Sequence, residues 1–106
     1  MPRTDSDGRT YGERISAMVG GIAEEASDFP ESDFQQIVNQ TIDSSRLVTQ
    51  KSEALFALES SDHRPEEWKH LVSEGDTHGQ VITAMAYDVV RQDVWIEIKE
   101  RGLDDE

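Results

Sequence analysis

Apolar residues recur along this chain at three- and four-residue intervals, the period of one face of an α-helix. Ile15, Met18, Val19 and Ile22 share a face of a helix predicted from Tyr11 to Ala26, which Thr10 and Glu13 open with the spacing of a capping box. Gly20 and Gly21 stand in its middle at a cost of about 2 kcal/mol relative to alanine, so a close helix crossing is the expected compensation. A second helix is expected to start with Asp28 as cap, Pro30 in its first turn and Glu31 at the third position, followed by the stripe Phe34, Ile37, Val38, Thr41 and Ile42. The same period runs on through Ser45, Val48, Ser52, Leu55 and Phe56. Residues 31–59 therefore read either as one helix or as two broken near Asp43-Ser44-Ser45, where short polar side chains compete for backbone hydrogen bonds.

Ser60 to Arg64 reads as a loop, and Pro65 suits the first position of a short helix over 66–73 with Trp68, Leu71 and Val72 on its apolar side. Thr77 and Gln80 repeat the capping-box spacing and introduce the most apolar part of the chain, predicted helical to about Arg101 with Val81, Ile82, Met85, Val89, Val90 and Ile96 as its stripe. Val94, Ile96 and Ile98 also alternate with Trp95, Glu97 and Lys99, the pattern of a strand. The expected fold is all-α, a small antiparallel bundle of four to five helices with a long C-terminal helix; the alternative is α+β with a short strand near 94–98. Residues 1–9 are expected as a flexible arm, 10–101 as a single helical domain, and 102–106 as an acidic tail after a helix stop at Gly102.

Charge narrows the partners. The 106 residues carry 23 Asp and Glu against 10 Lys and Arg, a net charge of -13. Binding phosphates requires clustered cations, and none are visible, so direct nucleic-acid binding is disfavoured. The acidity is spread over the chain and Arg outnumbers Lys, a composition suited to a salt-rich cytoplasm where charge repulsion is screened. Without cysteine there is no disulfide framework; no apolar run is long enough to span a membrane, and the polar N-terminus does not read as a signal peptide.

Candidate chemistry is sparse. Glu67 and His70 have the carboxylate-x-x-His spacing with which helices present two metal ligands, but a site of that class needs more carboxylates, as from a second copy across a dimer axis. His63 follows Glu59 by four residues, a surface pair, and no nucleophile stands beside His78. No catalytic residue and no cofactor is assigned. Trp68, Met85, Val89, Trp95 and Ile98 are the interface candidates, because residues 81–98 hold more apolar surface than one side of a helix hides in a core this small. The expected function is that of a non-enzymatic module that forms a homodimer and binds another protein as an accessory or regulatory subunit. The alternatives are a metal-dependent enzyme using Glu67 and His70 at the dimer interface, and a DNA- or RNA-associated regulator, for which a basic recognition helix is missing.

Overall fold

Thr10 starts the first helix as its spacing predicts: its hydroxyl accepts the Glu13 amide while the Glu13 carboxylate accepts the Thr10 amide. In this computed structural model, which describes residues 3–64, 66 and 79–104, helix α1 then runs over Tyr11–Asp28 and buries Tyr11, Ile15, Val19 and Ile22. It passes unbroken through Gly20 and Gly21. A Cβ placed on either glycine would meet nothing within 4 Å, so the expected close crossing is absent. The phase explains this, since Val19 and Ile22 face the core and Gly21 falls on the outer side.

Because α1 continues to Asp28, that residue ends a helix instead of capping the next. The cap of α2 (Phe34–Asp43) is Asp33, whose carboxylate accepts the Gln35 amide at 3.0 Å, and Pro30 lies in the turn between. Ile37, Val38 and Ile42 are the buried stripe of α2. The chain breaks where three short polar residues follow one another. The Ser44 hydroxyl donates to the Gln40 carbonyl at 2.8 Å, and the Ser45 hydroxyl accepts the Leu47 amide at 3.1 Å, which starts the single turn α3 (Arg46–Thr49). A second break follows at Gln50, extended at φ -111°, before α4 (Lys51–Ser60). Residues 31–59 thus hold three helical pieces.

Ala54, Phe56, Ala57 and Leu58 are buried and Leu55 half-buried, so α4 is covered on nearly every side. Its most extensive neighbour is α5 (Gly79–Glu100), the longest helix, which also packs on α1 and α3. Ile82, Ala86, Val89, Val90, Val94 and Ile98 form the buried stripe of α5. The strand alternative for 94–98 does not hold: Val90, Val94 and Ile98 are spaced by four, and each is buried. Val81, assigned to the stripe from sequence, lies outside it. The helix ends in a Schellman motif, with Gly102 at φ +71°, its amide on the Lys99 carbonyl and the Leu103 amide on the Ile98 carbonyl, while Leu103 packs on the core.

Residues 3–10, expected as a flexible arm, close a turn. The Asp5 amide donates to the Arg9 carbonyl at 2.8 Å, Gly8 supplies the positive φ, and Thr4 bridges Thr10. Beyond that isolated bridge there is no strand among the described residues, and the architecture is an all-helical bundle of five described helices. The short helix expected over 66–73, with Glu67, Trp68 and His70, and the capping box at Thr77 lie outside the described residues.

Candidate functional site

Asp93 is a carboxylate set among Val89, Val90 and Val94 on the inner side of α5, with 11% of its side chain exposed. A carboxylate there requires donors. Three converge on it from distant parts of the chain. The Tyr11 hydroxyl donates to Oδ2 at 2.5 Å, the Ser61 hydroxyl donates to the same oxygen at 2.8 Å, and His63 Nδ1 lies 2.6 Å from Oδ1. Ser61, buried at the end of α4, also accepts the His63 amide at 3.0 Å. Burial first, and the Asp93 carboxylate second, hold the Tyr11 phenol far above its ordinary value, so it remains a donor. The Tyr11 ring meets Phe56 edge-on, with centroids 6.3 Å apart.

The cluster joins α1, the end of α4 and α5, and it opens on a groove of about 530 Å³ lined by Arg3, Tyr11, Glu59, His63, Asp93 and Glu97. It contains a serine, a histidine and an aspartate, joined through the carboxylate and not in the serine-to-imidazole order of an acyl-transfer triad. The serine hydroxyl bonds Asp93 and a main-chain amide, and no hydrogen bond joins it to the imidazole that would have to take its proton. Its geometry is that of a latch. The expected pairing of His63 with Glu59 does not form; α4 ends between them, so they are no longer helical neighbours, and Glu59 pairs with Arg3. Among the described residues no group of three or more His, Asp or Glu is placed to hold a metal ion.

A second network ties the N-terminal turn to the bundle. Arg14 donates to Asp5 at 2.6 Å and to Glu53 at 2.7 Å, while Asp5 Oδ1 accepts the Asp7 and Arg9 amides. The Arg9 amide, against the opposing push of burial, and then Arg14 and the Asp7 amide hold the Asp5 carboxyl below its ordinary 3.8. A carboxyl lowered in the folded state adds stability above its unfolded value and loses it as pH falls through the folded one. The Tm gap between the natural chain and Asp5→Asn is therefore expected to be full at pH 6 and to close below about pH 4. A gap that stays constant down to pH 2.5 in a calorimetric series would show that Asp5 acts by packing alone.

Of the residues expected at an interface, Val89 and Ile98 are buried by the chain's own helices and have no surface left for a partner. This corrects the expectation for those two. Met85 is half-buried on the second core cluster, and Trp95 is half-buried with its ring edge-on to Phe34, centroids 6.1 Å apart. Sequence reasoning missed Asp93, although its phase was a signal: it falls three and four residues after Val90 and Val89, on the apolar stripe where a charge must be partnered.

Compared with protein-family models, with curated proteins and with solved structures, the chain matches none. No described helix is long and apolar enough to cross a membrane.

Proposed function

We propose that this protein is a helical interaction module that pairs with a second copy of itself through the first half of α5 and serves as an accessory subunit in a salt-rich cytoplasm. The observation that carries this reading is the coincidence of apolar exposure with sparse charge. Val81 is 44% exposed, Ala84 is exposed beside it, and Val48, Thr83, Ala84 and Tyr87 line a shallow groove there together with one charged residue, Asp88. From Thr77 to Tyr87 the chain has no charged side chain, in a molecule of net charge -13. Two copies repel wherever their carboxylates approach, so a mostly apolar strip with the single carboxylate of Asp88 in its groove is a surface on which contact costs little.

Sedimentation equilibrium tests this. At micromolar concentration the expected mass is twice the 12.0 kDa of the chain, and association tightens from about 0.1 M to about 1 M KCl as the Debye length falls from about 10 to about 3 Å. Val81→Glu is expected to return the protein to a monomer with unchanged far-UV circular dichroism, since Val81 lies off the core. A mass of 12.0 kDa at both salt concentrations would rule the reading out.

A further inference from the structure

We infer that the face between α1 and α2, remote in sequence from the proposed self-association strip, is a docking surface for a basic amphipathic helix of another protein. Its centre is apolar and open. Phe29, immediately after α1, is 58% exposed, and with Ala17, Met18, Gly21, Glu24 and Asp28 it lines a groove of about 480 Å³. Gly21 is exposed and meets nothing where a Cβ would stand, so a partner can approach the α1 backbone closely.

The rim fixes the partner's charge. The charged residues that line the groove are Glu24, Glu25 and Asp28, and its cations, Arg14 and Arg46, stand in the adjoining groove that shares Met18, Glu25 and Thr41. The last turn of α1 has no basic residue, so Glu24, Glu25 and Asp28 crowd the negative end of the helix dipole, an arrangement that cations from a partner relieve. Nucleic acids and anionic surfaces are repelled by this rim. A second copy of the chain would bring the same carboxylates against it, so the self-association strip and this face take different partners. A groove between two helices admits a third by ridge-and-groove packing, with an apolar ridge on Met18 and Phe29 and Lys or Arg on either side.

The test uses a fluorescently labelled synthetic peptide of about 18 residues, with leucine at i, i+3, i+4 and i+7 and lysine elsewhere, titrated with the full chain by anisotropy. Phe29→Ser is expected to weaken binding by about tenfold or more, the loss of one aromatic anchor, without loss of folding because the ring is exposed. Glu24→Lys with Asp28→Lys is expected to weaken it by a similar factor, whereas the same charge change at Asp62 and Asp104 costs less than about threefold. Gly21→Gln separates docking from folding: a better helix former raises Tm while its side chain blocks the groove and lowers affinity. Val81→Glu leaves peptide binding intact, so failure of self-association and failure of docking are read independently. The inference is overturned if both charge-reversal pairs weaken binding equally, if Phe29→Ser binds as the natural chain does, or if a peptide with glutamate in place of lysine binds equally well.

Discussion

Asp93→Ala is expected to lower folding stability by about 3 kcal/mol, because it leaves the Tyr11 and Ser61 hydroxyls without their common acceptor, each buried group costing about 1–3 kcal/mol. His63 contributes less to the loss, since its half-exposed ring can turn to water. Asp93→Asn keeps the shape and one carbonyl acceptor, and about half the cost is expected. The measurement is the urea midpoint at unchanged slope, which separates a change in stability from a change in the unfolded state. A double-mutant cycle then isolates the latch: Tyr11→Phe should cost about 1 kcal/mol in the natural chain and close to nothing once Asp93 is alanine, because the phenol has already lost its partner. Additive losses would mean that the two side chains act independently, and a total below about 1 kcal/mol for Asp93→Ala would mean that water from the adjoining groove replaces the carboxylate.

The reach of the sequence differs between this latch and the helices around it. α1 announced itself in a local grammar, with a capping residue, its reciprocal glutamate and a buried set at Ile15, Val19 and Ile22, all within one stretch of chain. Gly102 marked the end of α5 in the same way. Over α4 the stripe read through Ser52, Leu55 and Phe56 was misplaced, because the buried set is Ala54, Phe56, Ala57 and Leu58, and residues buried around most of a helix's circumference leave only a narrow polar face to define its period. The cap expected at Asp28 fell instead to Asp33, a residue of the same chemistry, because α1 persists to Asp28, and how far a helix persists is settled by packing along its whole length. Asp93 meets Tyr11 across 82 positions and Ser61 across 32, so only the folded chain brings them together. What the sequence did hold was the anomaly of a charge on an apolar stripe. It marked a place where partners had to exist without saying which.

Gly20→Ala and Gly21→Ala are each expected to stabilise the protein by about 1 kcal/mol and together by about 2 kcal/mol, raising Tm by roughly 8 °C for a domain of this size. Both glycines lie inside α1 with no positive φ to maintain, and apart from their chain neighbours and the helix's own adjoining backbone neither has an atom within 4 Å of the position an added methyl group would take. The gain comes mainly from the unfolded chain, where alanine has fewer conformations to lose, so no new contact has to form. Adjacent positions on a helix point in different directions, and the two increments should therefore add. Calorimetry of the two single variants and the double variant checks this, and a fall in Tm for either would show that a neighbouring element approaches α1 there as closely as the sequence first suggested. The same glycine at position 21 that costs the isolated chain stability leaves bare backbone beside exposed Phe29. If that surface is covered by a basic helix, Gly21→Ala should raise Tm in the free protein by more than it does in the presence of saturating leucine–lysine peptide, because the added methyl group gains helix propensity in both states but must be accommodated by the partner in only one.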